Sequence, residues 1–245
     1  MSFNRSWYGR FLAALILLAA FMTACGPSLT PQAPVTPVVF TIQHTPALNA
    51  LRSDMTACMN DRAGAGLVVE ERSGAALILG ESDASLRWDV QGELPTFSAV
   101  IGQEELVIIT HPDNPSSAIL LADLQSIYTG GMREWPEPGT LVSPYAYPAG
   151  DDVQLVFEAI ILGGTVVPSR ITYTAPDPAA VIEAIAGDPS ALGYIPRRWL
   201  NSQVKELTVE GIELERLTRP LVALAESEPS GPARDWLLCL QDELK

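Results

Sequence analysis

Two kinds of side chain in this sequence have the chemistry to manage an anion. Thr45 stands just before Pro46, at the start of a predicted helix, so its hydroxyl and the first N–H groups of that helix would face the same way. That is a means of holding an acceptor-only oxyanion, although the same hydroxyl could equally cap the helix. Asp151 and Asp152 stand at the start of another predicted helix, Asp151 to Leu162. Carboxylates there satisfy the free N–H groups of a first turn, and for that reason they compete with an external anion and repel it.

Other chemistries have little to work with. There is no G-x-S-x-G elbow, H-E-x-x-H pair, C-x-x-C or Walker-type glycine loop, which argues against an enzyme and against a bound cofactor. His44 and His111 are the only histidines. No metal-ligand cluster is evident; Asp83 with Asp151 and Asp152 is the one set that could draw a hard cation. The formal charge is −14, from 15 basic and 29 acidic residues. Removing Arg5 and Arg10 with the leader described next leaves 13 basic residues and a charge of −16, so nucleic acid is not an expected partner.

Arg5 and Arg10 precede an apolar run from Phe11 to Phe21, followed by Met22-Thr23-Ala24-Cys25-Gly26. The run is shorter than the roughly 18 residues that span a bilayer, so it reads as a secretion signal over residues 1–24. Small residues before Cys25 resemble the lipobox of bacterial lipoproteins, with Met22 in place of the usual leucine. The expectation is an acylated Cys25 anchoring the chain to the outside of the cell membrane. Pro27, Pro31, Pro34 and Pro37 make 25–37 an extended tether. Cys58 and Cys239 remain, and in an oxidising compartment they read as a disulfide, the other reading being two buried small hydrophobes.

Stepping along the chain, strands are predicted at Val38 to Gln43, Ala65 to Glu70, Ala75 to Leu79, Phe97 to Ile101, Glu105 to Thr110, Ser143 to Tyr147, Ala191 to Tyr194, Leu207 to Glu210 and Leu221 to Leu224. Helices are predicted at Pro46 to Arg62, across Ile119 to Tyr128, and at Asp151 to Leu162, Pro178 to Ala186 and Gly231 to Leu244. Strands alternating with helices give an α/β fold with mixed sheets.

Four segments then resemble, in order, the phosphate-type periplasmic binding proteins. Val107 to Trp135 carries the strand, Asn114-Pro115 turn, Ile127-Tyr128 helix and Gly130-Gly131 stop. Gly80 to Leu86 resembles the "Gly-x-Ser-Asp-Ala-Pro-Leu" loop, Ala191 to Pro196 the "Ile-Gly-Tyr" return strand, and Arg219-Pro220-Leu221 with Glu228 to Gly231 the entry to the last helix. The resemblance implies a two-lobed type II binding-protein fold joined by crossing strands, with lobe 1 over 38–107 and 196–245 and lobe 2 over 108–195. A bridge between Cys58 and Cys239 would then tie the two ends of lobe 1.

It also implies a ligand set. Thr45 and Asp83 match family positions, and Ser73 stands where the family opens a second helix that is missing here. The family's "Arg-x-x-x-Ser-Gly-Thr" segment falls on Tyr147 to Val153, with Tyr147 for the arginine, Asp151 for the serine and Asp152 for the glycine. These exchanges remove a cation and add two carboxylates, so phosphate is not the expected ligand. Arg72, Arg197 and Arg198 could restore positive charge, but a surface or ion-paired role is the expectation for each. The resemblance implies a monomeric solute-binding lipoprotein that takes a small-molecule solute, such as an oxyanion, to an ABC permease. The alternative is the same fold turned into a surface adaptor or sensor.

Overall fold

A computed structural model describes residues 36–60, 62, 64–89, 95–136 and 139–245. The leader, Cys25 and the tether as far as residue 35 lie outside the described residues. Met1–Thr36 and Pro37–Lys245 form separate units, and the second carries the fold. No helix among the described residues is long and apolar enough to cross a membrane.

The chain folds as β1 (Val38–His44), α1 (Arg52–Ala57), β2 (Ala65–Glu71), β3 (Ala84–Trp88), β4 (Phe97–Thr110), β5 (Ala118–Leu120), α2 (Leu121–Thr129), β6 (Ser143–Ala146), α3 (Asp152–Ile160), β7 (Tyr173–Thr174), α4 (Pro178–Gly187), β8 (Ala191–Pro196), β9 (Lys205–Glu210), α5 (Leu214–Leu217), β10 (Thr218–Ala225) and α6 (Gly231–Glu243). The sheet order is β2-β1-β3-β10-β4-β8-β6-β7. β1 runs parallel to β2 and β3, β10 is antiparallel to β3 and β4, and β6 runs parallel to β8 and β7. This is a mixed α/β fold of two lobes joined by crossing strands.

β4 belongs to both lobes. Its first part pairs with β10 from Phe97 to Glu105, and its last five residues, Leu106 to Thr110, pair with β8. Burial alternates along the first part and is continuous over Leu106 to Thr110, as expected of a strand that leaves a half-covered sheet for a fully covered one. The return crossing, Pro196 to Trp199, is held on both sides. Arg197 Nε lies 2.6 Å from Glu105 and its Nη2 2.6 Å from Glu206, Arg198 pairs with Glu104 at 3.1 Å, and Trp199 Nε1 donates to Ala47 O at 2.8 Å.

Each lobe has its own aromatic core. In the lobe of β6 to β8, Phe157 stacks on Tyr194 at 3.8 Å, and Tyr128 meets Phe157 edge-on at 4.6 Å. The buried phenols all find acceptors, as buried tyrosines must: Tyr128 on Tyr145 O, Tyr147 on Tyr194 O and Tyr194 on Gln154. In the lobe of β1 to β3, Trp236 packs on Phe40 and donates to Met55 O. The Cys58 and Cys239 sulfurs are bonded, with Cα atoms 5.8 Å apart.

Several elements differ from the sequence reading. The strand expected over Ala75 to Leu79 is absent; Gly74–Ala76 is one 3₁₀ turn. The expected loop at Gly80 to Leu86 instead leads into β3, which runs on to Trp88. The helix expected over Pro46 to Arg62 is a 3₁₀ turn, Pro46–Leu51, followed by the short α1. β4 is continuous through Gly102, because the break anticipated there is absorbed as an irregularity opposite Leu221 and Val222.

Candidate functional site

The carboxylate of Asp152 lies between the lobes, fully buried. It begins α3, two residues after Gly150, whose φ of 84° makes the turn that a residue with a Cβ resists. Three groups from the opposite lobe converge on it. Thr45, at the end of β1, donates its hydroxyl to Oδ2 at 2.7 Å, and the backbone N–H of Trp88, at the end of β3, donates to the same oxygen at 3.0 Å. Arg87 donates its Nε to Oδ1 at 2.9 Å and its Nη2 to the same atom. A carboxylate offers about four acceptor sites, and four donors occupy them here.

The cradle exists because two parallel strands end side by side. His44 pairs with Leu86 in the β1–β3 register, so Thr45 and the Arg87-Trp88 pair emerge at one edge of the sheet. Gly74 lets the third wall close. A Cβ added there would overlap Gly150 O and stand 2.8 Å from Arg87 Nη2 and 3.2 Å from Asp152 Oδ1. Only a residue with no side chain fits where the two backbones approach. Buried atoms without partners lie on the same strands: Gln43 Oε1, His44 Nε2 and Trp88 Nε1. Burial also lowers the pKa of His44, which keeps the ring neutral.

Asp151 does something different. Its Oδ1 accepts from Val153 N at 2.8 Å and caps α3. Burial, and after it the charge of Asp152, raise its pKa from 3.8 to about 7. The two adjacent aspartates are thus divided between one helix cap and one contact across the lobes.

The residues singled out from sequence separate accordingly. Thr45 and Asp152 meet, and the Thr45 side chain makes no helix-capping bond. Tyr147 is a core residue, its ring 5.4 Å from Tyr194 and its hydroxyl on Tyr194 O. Exposed Ser73 precedes Gly74, and its carbonyl accepts from Ala76 N. Asp83, also exposed, accepts from Thr41 N at 2.7 Å. Thr45 and Asp152 are in contact, while the Tyr147 hydroxyl and the Asp83 carboxylate are bonded elsewhere. Among the described residues no group of three His, Cys, Asp or Glu stands together as a metal site. Arg72 pairs with Glu70, and Arg197 and Arg198 are held as described above.

Sequence reasoning missed Arg87, the Trp88 N–H and Gly74. A signal for Arg87 was present: a lone cation between Leu86 and Trp88 in the strand Ala84–Trp88 is costly to bury unless a charge waits for it.

A receptor made of a hydroxyl, a backbone N–H and a guanidinium is chemically an oxyanion receptor, and the fold has that precedent. The structure is similar to a substrate-binding protein of the phosphate ABC-transporter type from Clostridium perfringens, solved with bound phosphate. The TM-score is 0.70 at 16% identity, covering 82% of this chain and 92% of that one. It is also similar to an ABC-type phosphate transport receptor from Vibrio cholerae, with TM-score 0.66, 14% identity and coverage of 83% and 93%. An OxyR2 regulatory domain from Vibrio vulnificus has TM-score 0.63, 13% identity and coverage of 87% and 98%. No family model and no curated protein matches the sequence. At these identities the likeness establishes the type II periplasmic-binding-protein-like fold, which serves transport receptors and a regulatory domain alike.

Proposed function

We propose that this chain is an extracytoplasmic lipoprotein of the binding-protein fold that supplies its own anion. It works as a surface adaptor or sensor in a fixed closed form rather than as a phosphate carrier. The reading joins a leader over 1–24, a lipid on Cys25, a tether over 25–37, lobe 1 over 38–107 with 196–245, and lobe 2 over 108–195.

The observation that carries it is the Asp152 carboxylate seated on the Thr45 hydroxyl, the Trp88 N–H and the Arg87 guanidinium. An external anion must displace a tethered one that is present at a high effective concentration. If the carboxylate stayed nearby it would also repel its rival: two unit charges about 4 Å apart cost about 4 kcal/mol at an effective dielectric of 20, or about three decades of affinity. A solute importer needs lobes that open and close on cargo, whereas here the ligand is part of the chain.

Titration calorimetry with phosphate and with sulfate is the test. The mature protein should give no binding heat at micromolar anion, and Asp152→Gly should bind at least one of them at that concentration. Micromolar phosphate binding by the unaltered protein would return it to the importer class. Mass spectrometry of protein extracted from membranes should find a chain beginning at acylated Cys25; an unmodified cysteine would remove the lipoprotein part.

A further inference from the structure

The segment between residues 108 and 195 carries ten Asp or Glu and only two Lys or Arg, Arg133 and Arg170. Both arginines line one cavity of about 280 Å³ between the end of α2, the chain before β6 and the chain before β7. No carboxylate among the described residues lines it. Among the described residues neither arginine makes an ion pair, whereas Arg72, Arg87, Arg197, Arg198 and Arg219 each have one. In so acidic a segment, two guanidiniums that line one hollow and have no ion-pair partner among the described residues repel each other, and an anion placed between them would remove that cost.

Apart from Ser143 and Gly130, the rest of the wall is apolar side chains, and it is partly open. Leu141 is 68% exposed and Tyr173 59% exposed, and the Tyr173 ring packs 5.2 Å from Tyr145. Gly130 makes the floor: its φ of 87° ends α2, and a Cβ there would press to 3.4 Å from Ile171. The carbonyls at the end of α2 would oppose an anion if left bare. Two of them are covered, because Gly130 N bonds Ile127 O and the N–H groups of Gly131 and Met132 bond Ser126 O.

We infer that this hollow is a binding site for a small organic anion, a carboxylate or phosphate group on a flat apolar body. The group would sit on Arg133 and Arg170, and the body on Leu141 and Tyr173. Guanidiniums take both oxyanions through paired N–H donors. The volume lies at the small end of the range of ligand pockets. No residue of the Asp152 cradle takes part, so the inference stands apart from the function proposed above.

Phenyl phosphate is the probe, with inorganic phosphate as the comparison, followed by amide chemical shifts of the mature protein. Saturable shifts should map to residues 127–133, 141–144 and 170–173, with phenyl phosphate binding at least about tenfold tighter than inorganic phosphate. Arg133→Gln and Arg170→Gln should each weaken it about tenfold or more, with unchanged melting temperatures. No saturation at millimolar probe, equal affinity for inorganic phosphate, or undiminished binding in the double variant would each overturn the proposal.

Discussion

Arg87 and the pair Arg133 and Arg170 are the same side chain in opposite circumstances. Arg87 is mostly buried, its side chain 18% exposed, and its charge is spent on a carboxylate supplied by the chain itself. Arg133 and Arg170 are exposed and have no carboxylate partner among the described residues. The difference teaches that charge in this protein is satisfied internally where the lobes meet and left available at the edge of the second lobe. Under the function proposed above the Asp152 cradle is a contact within the chain, and the outer arginine pair is where an external anion would be held.

The sharpest way to break that contrast is to remove one partner from each place. Arg87→Met leaves Asp152 buried without a counter-charge and should cost about 3–5 kcal/mol in urea denaturation. Arg133→Gln with Arg170→Gln should stay within about 0.5 kcal/mol per residue. Equal losses would mean that the cradle is no more structural than the outer pair.

Asp151 gives the next largest effect, through pH. Its pKa is raised from 3.8 to about 7 in the folded protein, so between those values the folded state binds more protons than the unfolded one. Stability conferred by that proton is complete below about pH 4 and is lost as pH rises through 7. Asp151→Asn keeps a helix-capping oxygen but cannot ionise. It should be more stable than the unaltered protein by about 2–4 kcal/mol at pH 8 and indistinguishable at pH 4. Parallel stability curves over that range would show that Asp151 does not carry the buried charge.

Gly74→Ala should have a smaller effect. The new methyl meets Gly150 O and the Arg87 guanidinium, so the lobes must part slightly, at about 1–3 kcal/mol. It should also raise amide hydrogen exchange at Trp88, whose N–H bonds Asp152. Unchanged exchange would separate the Gly74 contact from the cradle.

Much of the fold could be read from residue types. Val107 to Thr110 announced a buried strand, and Gly130 the end of the helix that follows it, because both signals are local. The cradle could not be read so easily. Asp151 and Asp152 are equally good caps by sequence, and which of them turns toward the other lobe depends on Arg87, 65 residues away. Ser82 to Ser85 has the composition of a turn, which hid β3; pairing with β1 and β10 overrides that composition. Tyr147 was placed by alignment with an arginine, but the Tyr194 carbonyl and the aromatic stack claim it for the core.

The bond between Cys58 and Cys239 joins residues 181 apart, so nearly the whole folded chain, second lobe included, lies within one covalent loop. A protease that cuts once anywhere between those cysteines releases nothing: both pieces remain one molecule until the bond is reduced. For a protein proposed to be displayed outside the cell, a nick in a surface loop is therefore a wound it can carry without losing either half.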